Sequence, residues 1–189
     1  EIGVRLVGSE MCIRDRFTAV EMERIRIACT DIRDRALIEM LACTGCRVSE
    51  LSNISLNDVD FLRKKVRIVG KGDKERTVFI SDTAMIYLNR YLEIRQDNNI
   101  ALFTSKRFPY DRLRKDGIER VVRDLGRMCN VYAHPHKFRR TLCTNLIMRG
   151  MPLQNVAILM GHADINMTAN VYYDASDRAI EYEYIRYAA

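Results

Sequence analysis

Arg47 directly follows Thr44-Gly45-Cys46, and Lys71 stands between Gly70 and Gly72, where the pattern reads as a hairpin tip. His136 and Arg139 lie three residues apart, so they share one face of a helix. His162 follows Gly161, and the phenol of Tyr172 comes ten residues later. Taken singly, each has an ordinary explanation: a surface charge, a satisfied structural histidine, a packed tyrosine. Together, the three cations and two imidazoles suit the reception of one phosphodiester, because guanidinium forks match phosphate oxygens.

Local elements must bring these groups together. Thr18 with Glu21 has the form of a capping box and starts a helix to about Cys29. Asp31 caps a second helix, with Ile32, Ala36, Leu37, Met40 and Leu41 as its buried stripe and Gly45 at its end. A short helical turn carries Arg47 to Leu51. The period then changes to two: Val66 and Ile68, then Val78 and Ile80, alternate with polar residues around Gly70-Lys71-Gly72-Asp73. That is a β-hairpin, and Val59 to Leu62 adds a third, short strand.

Helical periodicity then returns. Ser81 caps a helix with Met85, Leu88 and Leu92 on one face. Ile118, Val121, Val122, Leu125 and Cys129 form another stripe. Pro135 suits the first turn of a helix through Arg149. Leu153, Val156, Ala157 and Met160 mark a shorter one ending at Gly161, and a last helix is expected from Ser176 to Arg186. The fold class is mainly α with a small antiparallel β-sheet (α+β).

The chain has 189 residues, enough for one ordinary domain with a real core. No stretch approaches the roughly 18 apolar residues of a membrane span, and no secretory pattern opens the chain, so a cytoplasmic location is expected. The six cysteines follow no disulfide-scaffold spacing; Cys43 and Cys46 are expected to be small buried hydrophobes. The three histidines have no H-E-x-x-H or carboxylate cluster beside them, so neither a metal nor another cofactor is expected. Net charge is +6, and Arg63 to Arg76 concentrates seven bases against two acids. That stretch is either a solvated hairpin surface or a ribbon that contacts phosphates.

The ordered motifs resemble the tyrosine recombinases of the phage integrase family, of the Xer and transposon-integrase kind. Thr44-Gly45-Cys46-Arg47-Val48-Ser49-Glu50-Leu51 is similar to their first-arginine motif, and Gly70-Lys71-Gly72-Asp73-Lys74-Glu75-Arg76 to their catalytic-lysine hairpin. Pro135-His136-Lys137-Phe138-Arg139-Arg140-Thr141 resembles their H-x-x-R helix. Leu159-Met160-Gly161-His162 and Asn170-Val171-Tyr172 resemble their last histidine and nucleophile. The likeness runs in order from about Phe17 to the end. It departs at Arg140, where many relatives have His, and Tyr173 stands beside Tyr172. Helical neighbours point about 100° apart, so one phenol alone can face a phosphate, and the spacing from Gly161-His162 favours Tyr172.

The resemblance implies the tyrosine recombinase catalytic-domain fold and a reaction. Tyr172 attacks phosphorus and forms a covalent 3′-phosphotyrosyl link. Arg47 and Arg139 stabilise charge on the nonbridging oxygens without a metal. Lys71 gives the leaving 5′ oxygen its proton, His136 assists proton transfer from the tyrosine, and His162 hydrogen-bonds the phosphate. Glu50 orients the arginines and Arg140 supports the site. The bond energy stays in the protein link, so resealing needs no ATP.

The implied partner is double-stranded DNA, with self-assembly into a tetramer on it, and neither a membrane nor a small-molecule substrate. Residues 1–16 contain Glu10-Met11-Cys12-Ile13-Arg14-Asp15-Arg16, which looks like a translated sequencing-library adapter. They are expected to be a non-native, disordered scar, with the catalytic domain at 17–189 and the relatives' N-terminal core-binding domain absent. Two rivals stand: a type IB topoisomerase or telomere resolvase activity, and a non-catalytic DNA-binding remnant of a mobile element. The Gly-Lys-Gly hairpin and Leu-Met-Gly-His favour the integrase group over the first. The complete residue set argues against the second.

Overall fold

The computed structural model describes residues 16–161 except 71 and 73. Helix α1 (Ala19–Ala28) opens with the reciprocal cap expected from Thr18 and Glu21. Helix α2 (Ile32–Thr44) is capped by Asp31 and ends on Gly45 in the left-handed conformation, φ 58°. Leu37, Ile38, Met40 and Leu41 of α2 are all buried, as is every residue from Ala36 to Leu41, so the middle of this helix is covered on all sides while its charged residues Arg33, Asp34 and Arg35 gather in the first turn. Its one deeply buried acid, Glu39, is held by Arg26 and Arg35. Truncating a residue such as Leu37 to Ala would cost about 2–5 kcal/mol.

Arg47 caps the short helix α3 (Val48–Asn53). A 3-10 turn (Leu56–Asp58) leads to strand β1 (Val59–Asp60), then β2 (Lys65–Val69) and β3 (Glu75–Phe79). The sheet is antiparallel in the order β1-β2-β3, with Val66 opposite Val78 and Ile68 opposite Arg76. The first strand is shorter than the sequence pattern predicts. Asp60 accepts a bond from the Arg63 backbone and Lys64 turns to φ 52°, so residues 61–64 form a turn instead.

Helices α4 (Asp82–Ile94), α5 (Lys115–Met128), α6 (Pro135–Met148) and α7 (Leu153–Met160) follow. On α4, Tyr91 is buried while Leu92 is only partly so. Between α4 and α5 the chain is irregular but well tied. The Arg95 guanidinium donates to the carbonyls of Asn99 and Ala101 and pairs with Asp97, while Arg112 donates to those of Ser52 and Ile54. This segment therefore braces the end of α3. Phe17 packs on Phe138 and donates its N–H to Thr141, which fixes the start of the described chain on α6.

Cys46 is buried and Cys43 partly so; burial pushes their thiols up to about 12 and about 11, and both are free. They are inert packing groups, as the sequence pattern predicts. Among the described residues, no helix is long and apolar enough to cross a membrane. The helix predicted over 176–186 lies outside the described residues.

Candidate active site

Two left-handed glycines shape the floor of the site. Gly45 ends α2 and Gly161 ends α7, with φ of 58° and 63°. The positive φ of Gly45 favours glycine, and a Cβ there would sit 3.0 Å from the Leu142 side chain and 3.1 Å from that of Met160, so both would have to give by a few tenths of an ångström. Arg47 comes two residues after the first of these stops. His162 comes one residue after the second but lies outside the described residues, as do Lys71 and Tyr172.

Arg139 projects from α6 between the two helix ends. One terminal nitrogen donates to the Gly45 carbonyl at 2.8 Å, and the other donates to that of Met160. Both acceptors sit at the negative ends of helices, which suits a buried cation. The residue is only 6% exposed. Burial, and then the charge of nearby Arg47, bring its guanidinium down to about 10, still protonated at neutral pH.

Arg47 is the more open of the two, with a side chain 35% exposed. It donates to Glu50 at 2.9 Å and to the Gly161 carbonyl at 3.3 Å. Glu50 also accepts the Arg47 backbone N–H at 2.7 Å, as the third residue of a short helix reaching back to its cap. The Glu50 side chain is 4% exposed. Burial works against its charge, but the hydrogen bond from Arg76, followed by bonds from Arg47, outweighs it and holds the carboxyl at about 2.

Arg76 is the residue that spacing alone did not single out. It donates to both Glu50 oxygens, at 2.9 and 2.7 Å, and through Nε to the Leu159 carbonyl at 3.0 Å. A signal existed: strand alternation places Arg76 on the same face as Val78.

His136 is exposed in the first turn of α6. It lines a groove of about 760 Å³ together with Val48, Lys115, Arg123, Arg127 and Tyr132. The groove thus runs from the residue after Arg47 to His136, with Lys115, Arg123 and Arg127 of α5 along one wall and the acid Glu119, paired with Lys115, among them. Gly126 lets the Val131–Ala133 segment lie against α5, since a Cβ there would fall 2.5 Å from the Val131 carbonyl. Arg140, on the same helix, is half-buried. Among the described residues, no three His, Cys, Asp or Glu side chains gather as metal ligands would.

The basic hairpin is less open than its composition implies. Arg63 pairs with Asp60, Lys64 with Asp82, and Arg67 with both Asp58 and Glu75, while Arg76 turns inward.

A model described as the phage integrase family matches residues 15–179. Tyrosine recombinase XerA of Pyrococcus horikoshii is 34% identical over 154 residues, covering 80% of this chain and 54% of the relative. The chain spans about half the length of the curated relatives it matches. A crystal structure of XerA recombinase superimposes with a TM-score of 0.80 at 30% identity, over 92% of this chain and 65% of that one. The Tn1549 transposon integrase, solved with circular intermediate DNA, gives a TM-score of 0.77 at 20% identity, over 90% and 66% of the two chains, a likeness of fold.

Proposed function

The chain belongs to the phage integrase family, and on that premise we propose that it is a site-specific recombinase that cuts and rejoins double-stranded DNA through a covalent 3′-phosphotyrosyl link. One observation carries the reading: Arg47 and Arg139, distant in sequence, are held at the joined ends of α2 and α7, beside a groove that includes His136. Two permanent cations fixed at one point, with no need to rearrange, suit the charge that builds on a phosphate under attack.

In this reading Arg47 meets a nonbridging oxygen and Arg139 adds its charge from behind. Tyr172 is the nucleophile. Its phenolate attacks phosphorus, the bond to the 5′ oxygen breaks, and Lys71 supplies that oxygen's proton. His136 assists the tyrosine's proton transfer, His162 binds the phosphate, and Glu50 and Arg140 support the arginines. Religation reverses these steps without ATP. The protein works in the cytoplasm, where four copies assemble on DNA. The acidic tail, Asp174 to Ala189, docks on a neighbour and couples assembly to the position of Tyr172.

Covalent capture tests the proposal. The chain is incubated with a pool of random-sequence nicked duplexes from which the short cleaved fragment diffuses away, and the mixture is then denatured. Protein carrying DNA, formed in chelator and without ATP, is the expected product. Salt-sensitive binding with no adduct would instead favour the non-catalytic remnant.

A further inference from the structure

We propose that Arg76 is a positioning residue for strand cleavage: by engaging the Glu50 carboxylate and the end of α7, it keeps Arg47 aligned with the phosphate. The inference rests on the functional reading above. Glu50 is shared evenly. Its Oε1 accepts one bond from each guanidinium, Arg47 and Arg76, at 2.9 Å. Its Oε2 accepts Arg76 at 2.7 Å and the Arg47 backbone N–H at 2.7 Å.

Remove Arg76, and the buried carboxylate keeps Arg47 as its cation. A fork beside an undercompensated carboxylate turns onto it in bidentate fashion, and its charge is then spent inside the protein. With Arg76 in place, the carboxylate is already satisfied and the field of Arg47 remains available to a phosphate.

The second anchor of Arg47 is the Gly161 carbonyl. Arg76 holds that segment too, through its bond to Leu159 and by lying against Gly161, where a Cβ would come within 2.9 Å of Nη1. Arg76 thus bonds one of the groups that Arg47 touches and packs against the residue that carries the other. Its own side chain is 10% exposed, so it acts through Arg47 rather than on DNA. Lysine, a point charge, cannot span a carboxylate and a carbonyl in this way.

The test compares single-turnover covalent capture by the whole chain, as wild type, Arg76→Gln and Arg76→Lys, on nicked duplexes at saturating concentration. Arg76→Gln should slow cleavage by about 100-fold, the scale of losing one oriented transition-state donor, with little change in DNA affinity. Arg76→Lys should recover only part of the rate. Each variant is then given a duplex with bridging sulfur at the scissile 5′ position, whose thiolate leaves without a proton. The defect should persist, because nonbridging charge is what Arg47 serves.

If sulfur restores the rate, Arg76 acts through the proton donor Lys71 and the inference is overturned. A folded Arg76→Gln chain cleaving at the wild-type rate also overturns it. If Arg76→Gln does not fold in a denaturant titration, Arg76→Lys decides: full activity there refutes the need for a fork. A wild-type chain that captures no DNA would bring down the functional reading itself, whereas active wild type with equally active variants sinks this inference alone.

Discussion

Arg47 and Arg139 donate to adjoining backbone carbonyls, those of Gly161 and Met160, although one caps α3 and the other lies within α6. Burial penalises the charge of Arg139, and the nearby Arg47 guanidinium adds repulsion. The carbonyls at the ends of α2 and α7, together with Glu50, offset that repulsion. The protein thus holds a cationic pair assembled before any anion arrives, which is what preorganisation requires.

Arg139 should accordingly matter for stability as well as for chemistry. Arg139→Met leaves the Gly45 and Met160 carbonyls without their donor, at about 1–3 kcal/mol for a buried unpaired group. Covalent capture should fall by about 100-fold or more. Denaturant titration and capture rates read the two effects separately. A Met variant as stable as wild type would show that these carbonyls need no partner.

The low pKa of Glu50 gives a stability term with a defined pH window. A depressed carboxylate stabilises fully above its ordinary value, near 4.5, and loses that effect as pH falls toward about 2. Acid unfolding of the wild type should therefore steepen across that window, and Glu50→Gln should flatten it while lowering stability at neutral pH. Superimposable acid-unfolding curves for the two proteins would show that Glu50 is not held ionised by the arginines.

DNA affinity should fall steeply with salt, since phosphate contacts release counterions. The paired hairpin cations shift the weight of this effect to the groove wall on α5. Substituting Arg123, which makes no ion pair among the described residues, should flatten the plot of log affinity against log salt more than substituting Arg67, which is already bound to Asp58 and Glu75. An equal or larger change from Arg67 would place the main phosphate track on the sheet.

Much of this was legible in the sequence because local chemistry set it. The caps at Thr18, Asp31 and Ser81, the stop at Gly45 and the Pro135 start are short-range rules, and the structure follows each. The motif order marked Arg47, His136 and Arg139 before any geometry was known. The brace between α4 and α5 was not legible, because it rests on arginines donating to carbonyls, which leaves no periodic trace. Arg76 was missed for a different reason. It stands in a basic run that reads as solvated, and only its shared parity with Val78 separates it from its neighbours.

The central claim is the identity of the attacking atom, and the position of the covalent link tests it most directly. DNA captured by the chain is digested with protease, and the peptide bearing a nucleotide is located by mass spectrometry. The link should lie on Tyr172. Tyr172→Phe, which removes the phenol oxygen and keeps the ring, should abolish capture while leaving non-covalent binding nearly intact, and Tyr173→Phe should still trap DNA. A nucleotide on Tyr173, or capture that survives in Tyr172→Phe, would contradict the account.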